Sequence, residues 1–573
     1  MNSEAQENIT IPQGCQTPSP RPLQSGFTLL LLCLAIYWGP ALTLPLIRPE
    51  AMFALAPSEM LAAGKWIPIT LNGAPHWDKP PLLYWLNLTT FKVLGVSDWA
   101  ARIPTLGLTL AEVGATFLVG CLLMSRRAAW LGSFILLTSL GFFTLHLQIF
   151  LDHLITLTLI LSLYALLRWM KQPGLRWVFL FHLSMAAGVL SKGLIGLGFP
   201  LLIGLLYAWR LRQPRVLALL FHPGGLALVA LLTIPWFVAM ELHYPGFCRY
   251  HFVSEHLVRF LGQRQPQGVS TFSFYIFWLF LGIWLMPWVI LLPQALCRYI
   301  KNTAPRKGDG AGRLLIIWAA VILGVFTFSS TRIEYYSLPA LPPLALILGW
   351  RVDEYLRAPD RSLPAALLLL GLVGLGTFFW LGWLDNLFAG NRREFFGMFP
   401  LIDPLAPLGF TIPVLALTGA LLGWRRPRFA AACYGALALW LVFLTFITWR
   451  VLCPLLSDKS PGNYVRLHAQ PGDLVVMESI EEFEYGASFA FYAGRRILMV
   501  QRNGVPRFNF PVAPEQDFLI SPDRLRELWY GPQTLFLLVD DAMPLESYLK
   551  EAQVAQAEAG KRLLVNRAGG NRR

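Results

Sequence analysis

The chain alternates long apolar runs with short polar connections, most of them basic. An uncharged run of about 20 residues matches the thickness of a bilayer's hydrocarbon core and reads as a spanning helix. Thirteen spans are predicted, over 27–47, 103–124, 128–150, 153–169, 177–191, 194–209, 216–240, 272–295, 314–329, 337–350, 364–384, 405–424 and 429–449. The first follows a Ser-, Pro- and Gln-rich start with no cleavage-site pattern, so it is expected to be retained. Residues 48–102 are too long for a simple turn, and within them 50–63 and 82–94 carry the patterning of helices lying at the membrane surface. After about Arg450 the pattern changes. Residues 473–478, 496–500 and 534–539 read as strands, and 522–529 and 544–555 as helices. The expected architecture is an α-helical polytopic membrane domain over 1–450, followed by a soluble α/β domain over 451–573.

Composition supports the membrane reading. Only 14% of residues are charged, where a soluble domain carries about a quarter. The net charge of +14 would suggest nucleic acid in a soluble protein. Here the basic residues sit in short loops between apolar runs, among them Arg126 and Arg127, Arg210, Arg212 and Arg215, and Arg425, Arg426 and Arg428. That is the positive-inside pattern, so it excludes nucleic acid as a partner and puts the N-terminus in the cytoplasm and the C-terminal domain outside. The seven cysteines are scattered without metal-ligand spacing and read as small packing residues.

Ionisable residues at membrane depth are costly and point to function, and here they gather in the outer connections. Lys79 lies between Asp78 and a Pro-Pro pair, which restricts the backbone and suits an ammonium held for a phosphate, although a lysine reaching to the interface is the plainer reading. Asp152 follows a long apolar run and is either a general base or a helix cap. Lys192, Arg259 and Arg332 put cations at outer helix ends, where they either surround a phosphate leaving group or anchor the helices. His243, His251 and His256 fit no standard metal spacing.

These stretches together carry a resemblance. Glu59-Met-Leu-Ala-Ala-Gly-Lys-Trp66, Asp78-Lys-Pro-Pro-Leu-Leu-Tyr-Trp85 and Asp98-Trp-Ala-Ala-Arg-Ile-Pro104 look like the first outer loop of the GT-C polyprenyl-phosphate glycosyltransferases. Asp152, Ser191-Lys-Gly193, Glu255-His-Leu-Val-Arg-Phe260, Pro287-Trp288 and Ser330-Thr-Arg-Ile-Glu-Tyr-Tyr-Ser-Leu-Pro339 add to it. The similarity is nearest to the lipid A aminoarabinose transferases and more distant to the protein O-mannosyltransferases. It implies a GT-C fold and inverting transfer of a sugar from a polyprenyl phosphate to a lipid or glycan acceptor. The reaction would take place at the outer face of a bacterial inner membrane, with the C-terminal domain periplasmic. Carried across, Lys79 and Arg332 hold the donor phosphate with Tyr336 nearby, and Lys192 and Arg259 line the same cavity. Asp152 positions or activates the acceptor. Asp78 and His256 face the acceptor cavity and are the candidate ligands should a divalent metal bind, though no cofactor is required. The implied partners are the sugar donor, the acceptor and membrane lipids.

One departure matters. The family's first loop opens with Asp-Glu and, two residues later, Arg-Tyr, whereas this chain reads Pro49-Glu50-Ala-Met52-Phe53. Three readings stay open: Glu50 acts as the catalytic base, Asp152 suffices, or activity is altered or lost. Glu50 also has a structural reading, as a partner of Arg48 or a favourable charge at a helix start. A protein O-glycosyltransferase and a degenerate lipid-binding or transport protein are the alternatives to lipid glycosylation.

Overall fold

The computed structural model describes residues 22–77, 79–261, 272–302, 311–387, 405–478, 486–500, 518–541, 545–550 and 552–566. Each predicted span falls on a helix or on a helix broken in place. Among the described residues six helices are long and apolar enough to cross a bilayer alone: Gln24–Thr43, Asp98–Leu123, Leu151–Lys171, Arg215–His243, Pro407–Arg425 and Pro427–Leu456. The chain is an integral membrane protein. Two further spans are bent pairs, Arg126–Leu137 with Leu140–His146 at 58° and Phe274–Trp284 with Trp288–Asn302 at 102°. Ile195–Leu211, Arg313–Phe328 and Ser362–Phe378 are shorter apolar helices.

The breaks have identifiable causes. Pro287 lies between the halves of the second pair, and a proline removes a backbone donor and crowds the preceding turn. The first pair turns at Thr138 and Ser139. Just beyond that turn, a Cβ on Gly141 would stand 2.3 Å from the Trp284 side chain, so the two broken helices meet where only glycine fits. Gly188 and Gly196 likewise allow a close crossing, since a Cβ on Gly196 would lie 2.1 Å from the Gly188 carbonyl carbon.

The outer connection folds as predicted locally, into helices Arg48–Ala63 and Leu82–Leu94, with a small hairpin of Thr70–Leu71 and Ala74–Pro75 between them. Its placement differs from expectation. Ala51 to Ala56 are all buried, because they share a core with Phe489, Phe491 and Tyr492 of the C-terminal region. The first helix is therefore covered by protein and does not float on lipid.

The C-terminal region forms a six-stranded sheet in the order Leu519–Ile520, Leu498–Val500, Leu474–Glu478, Leu535–Asp540, Lys561–Val565, Gln553–Glu558. The first four strands pair in parallel and the last two join antiparallel. Helix Pro522–Trp529 matches the prediction. The helix expected over 544–555 is absent among the described residues: Ser547–Leu549 makes one tight turn, and a strand begins at Gln553. Gln, Ala and Glu suggested a helix there. Instead, Ala559 and Gly560 both take positive φ, 53° and 75°, the two-residue turn that matches strand twist and closes a hairpin. Pairing with the hydrophobic strand Lys561–Val565 then overrides local propensity.

Candidate active site

Two antiparallel helices supply the first pair of charges. Leu151–Lys171 carries Asp152 in its first turn, and Leu175–Lys192 ends on Lys192. Each charge suits its own helix terminus, and the packing sets both ends side by side. Lys192 Nζ lies 2.7 Å from both Asp152 carboxylate oxygens. It also stands 4.7 Å over the Tyr336 ring and 5.7 Å over Tyr335, a cation–π arrangement. Both tyrosines come from the tight turn Glu334–Ala340. Burial, and then the charge of Asp152, raise the Glu334 carboxyl above its ordinary range.

The second group of charges converges on Glu255. Its Oε2 accepts from Arg259 at 2.9 Å and lies 4.0 Å from Lys79 Nζ, while Tyr250 donates to Oε1 at 3.1 Å. Residues Tyr250–Val258 form a π-helical turn, the type of insertion that recurs at functional sites. In that winding, residues five apart share a face. Tyr250 therefore reaches Glu255, and His256 Nδ1 donates to the His251 carbonyl at 2.7 Å. Two residues before Lys79, Trp77 is buried against Tyr244, Phe247 and Tyr250.

His256 ties the groups together. Its Nε2 accepts the Leu194 amide at 3.0 Å, two residues past Lys192. Gly193 makes the approach possible. It has φ of +73°, and a Cβ there would lie 2.5 Å from the imidazole. Burial above all lowers the His256 pKa, with a smaller contribution from the Lys79 charge; with Nε2 accepting and Nδ1 donating, both nitrogens are engaged. That use leaves His256 no nitrogen for the metal considered from the sequence, and Asp78 lies outside the described residues.

Arg332 and Glu50 sit apart from this arrangement. The Arg332 guanidinium donates to the carbonyls of Phe272 (3.2 Å), Thr327 (3.0 Å) and Ser329 (2.6 Å), capping the end of Arg313–Phe328 and pinning the segment that leads to Tyr335. Glu50 is fully buried. One of its oxygens takes the Ile47 amide (2.9 Å) and Arg102 (2.5 Å), and the other takes the Ile149 amide (3.0 Å). Its partner is Arg102; Arg48 instead contacts Asp458 at 3.3 Å and Asp540 at 3.2 Å. Burial pushes the Glu50 carboxyl upward, against the pull of Arg102 and the two amides. Both residues act on backbone position.

A cavity of about 460 Å³ adjoins the charged cluster. Val189, Leu194, Leu197, Phe237, Cys248 and Phe252 line it together with Glu241; Val189 shares a helix with Lys192, and Phe252 shares the π-helical turn with His256. The ion pairs beside it set three cations, Lys79, Lys192 and Arg259, against two carboxylates, Asp152 and Glu255. A largely apolar groove beside several cations suits a long-chain anion. Sequence reasoning passed over Glu255 as the hub and Tyr250 as its partner. The Glu255–Arg259 spacing was a visible signal, whereas the five-residue register was not.

Comparison with known proteins agrees with this picture. A family model described as dolichyl-phosphate-mannose-protein mannosyltransferase matches residues 27–251. The undecaprenyl phosphate-alpha-4-amino-4-deoxy-L-arabinose arabinosyl transferase of Enterobacter sp. (strain 638) is 30% identical over 347 residues, covering 58% of this chain and 59% of the relative. The protein of that name from Aeromonas salmonicida is 29% identical over 61% of this chain and 64% of its own length. The chain thus spans about three-fifths of the length of these two relatives. The Yersinia enterocolitica protein of that name is 26% identical over 87% of this chain and 89% of the relative. The crystal structure of ArnT from Cupriavidus metallidurans bound to undecaprenyl phosphate superimposes with a TM-score of 0.78 at 19% identity, covering 95% of this chain and 98% of that one. The fold is that of a GT-C membrane protein with a small C-terminal sheet, and the chain resembles the GT-C polyprenyl-phosphate glycosyltransferases in sequence as well.

Proposed function

We propose that this chain is a membrane glycosyltransferase that moves a sugar from a polyprenyl-phosphate donor to a lipid A-like or glycan acceptor. The observation that carries the reading is the junction of the apolar cavity with the Lys192–Asp152 and Lys79–Glu255–Arg259 clusters. The isoprenoid tail lies along the cavity. The phosphate takes Lys192, Arg259 and Lys79, which neutralise the charge that grows on it as the glycosidic bond breaks. Binding of the phosphate draws Lys192 away from Asp152, and the freed carboxylate takes the proton of an acceptor hydroxyl as its oxygen bonds to the sugar and the bond to the donor phosphate breaks. In-line attack opposite the leaving phosphate inverts the sugar. Tyr335 and Tyr336 keep Lys192 aimed. Arg332 and Glu50 position the backbone around this centre and do not touch substrate. The names of the matched transferases support the donor class. The basic loops support placing 1–450 as the membrane domain and 451–573 as an outer, periplasmic domain of a bacterial inner membrane protein.

The test is reconstitution of the full chain in liposomes with a radiolabelled undecaprenyl-phosphate sugar and lipid A. Label moving into the lipid A fraction supports the proposal. A specific observation favours one rival: Pro49 stands where the family has aspartate, and Glu50 is locked in the protein interior. A non-catalytic lipid binder would retain undecaprenyl phosphate and transfer no label to lipid A or to protein. Orientation is checked by a cysteine placed at Pro471, which should label from outside intact spheroplasts.

A further inference from the structure

Glu112, His146 and His153 lie on three different helices, Asp98–Leu123, Leu140–His146 and Leu151–Lys171. All three are at most 4% exposed, within the helical core. One ligand atom from each falls within 4.8 Å of the other two. The hydrogen bonds set the tautomers. His146 Nδ1 lies 2.7 Å from the Phe142 carbonyl, so it is the donor and Nε2 carries the lone pair. That lone pair faces Glu112 Oε1 at 3.0 Å. His153 Nε2 lies 3.1 Å from the Gln148 carbonyl, which leaves its lone pair on Nδ1. His153 Nδ1 and Glu112 Oε2 are buried with no hydrogen-bond partner, and so is the nearby Tyr37 hydroxyl. Two acceptors facing each other need something positive between them. A proton on Glu112 would satisfy only its contact with His146 and leave the other atoms bare, whereas a metal ion satisfies both imidazoles and the carboxylate. Histidines that bind metal characteristically donate their second N–H to a backbone carbonyl, as both do here.

From this geometry we infer that Glu112, His146 and His153 form a binding site for one divalent transition-metal ion of the zinc class. Ligand atoms on a tetrahedral zinc stand about 3.3–3.5 Å apart, so loading draws the three side chains inward by a little over an ångström at most. A cavity of about 10 Å³ beside His146, bordered by Tyr37, Arg102 and Thr105, has room for roughly one water as a fourth ligand. Arg102 also lines it, but its charge is matched by Glu50 at 2.5 Å. His153 adjoins Asp152, so the ion fixes the first helical turn that carries the Asp152 carboxylate. The site does not depend on the proposed reaction.

The experiment loads detergent-purified full chain with Zn²⁺ or Co²⁺, desalts it, and measures bound metal by mass spectrometry. Expected is one ion per chain and a higher melting temperature on loading, with affinity falling at least about tenfold in Glu112→Gln and His153→Gln. His146→Cys keeps a ligand in place and should give the Co²⁺ form a thiolate charge-transfer band, which guards against variants that do not fold. Monodisperse wild-type protein that retains no metal would overturn the site. So would one-ion binding unchanged in Glu112→Gln and His153→Gln.

Discussion

Two clusters of charge in this protein are built from the same residue types and do different work. Where the outer helix meets the C-terminal region, Arg48 and Lys561 face Asp458 and Asp540. Beside the cavity, Lys192, Lys79 and Arg259 face Asp152 and Glu255. The first cluster is balanced, two cations to two carboxylates, and Asp458 has no exposed surface. Burial raises the Asp458 carboxyl, but Arg48 and Lys561 outweigh it and hold the group below the usual carboxylate range. Around it the docking is completed by Tyr492, which accepts the Leu46 amide at 2.6 Å, by Lys459 with Asp98 at 2.5 Å, and by Asn72 paired with the Ile497 backbone at 3.0 Å. The second cluster lies beside an apolar cavity. Enclosed and matched charge holds elements together; charge beside a cavity is where the proposed ligand would bind.

The comparison is most open to attack at Asp152. Asp152→Asn should lower transfer about 10²- to 10⁴-fold, the range for losing a general base, well beyond what its loss of stability explains, since Lys192 also keeps the Tyr335 and Tyr336 rings. An equal loss of folded yield would move Asp152 into the structural class. Asp458→Asn should do the reverse. It leaves Arg48 and Lys561 buried with one carboxylate fewer, at a cost of about 3–5 kcal/mol. Turnover per folded molecule should stay near wild type, as measured by thermal denaturation alongside the transfer assay.

Lys79→Ala should weaken donor use by about tenfold to a hundredfold, or roughly 1.4–2.7 kcal/mol of binding. Lys79→Arg should recover only part of it, because a guanidinium fork does not replace a compact ammonium held before Pro80. Unchanged kinetics in Lys79→Ala would remove it from the phosphate site. Glu50→Gln tests whether the buried carboxylate is only structural. The expected effect is a loss of about 1–3 kcal/mol in stability, with turnover retained by the molecules that fold; lost turnover at full stability would restore Glu50 as a base.

The smallest effect is on pH dependence. Asp458 has a depressed pKa in the folded protein. Its contribution is therefore fully present above its unfolded value near pH 3.8 and is lost as pH falls through the folded value. Lys561 is lowered by burial above all, but it is protonated in folded and unfolded chain alike in this acid window. Protease nicking between the helical and sheet regions should rise as pH drops below about 4, and the rise should vanish in Asp458→Asn.

Much of this was legible beforehand. The apolar runs located the helices because a lipid solvent demands long uncharged segments with internally satisfied backbones. The outer helices Arg48–Ala63 and Leu82–Leu94 emerged within two residues of their predicted ends. The cations near outer helix ends were visible too. The hub at Glu255 was not, because a π turn places residues five apart on one face while the eye searches at 3.6. Nor was the pairing of Glu50 with Arg102, 52 residues away, or of Arg48 with Asp458, 410 residues away. The hairpin at Gln553–Glu558 and Lys561–Val565 was hidden by residues that favour helix in isolation.

Hydrophobic period alone determined that the chain crosses a membrane many times, and that its ionisable residue types gather in a few of the connections between spans. Those signals are local, and each reports how a segment meets its solvent. Which of several similar carboxylates became a clamp and which came to face open space was decided only in three dimensions. A charge buried among donors and a charge beside a cavity are not told apart by their sequence neighbours; they differ in what the rest of the chain packs around them.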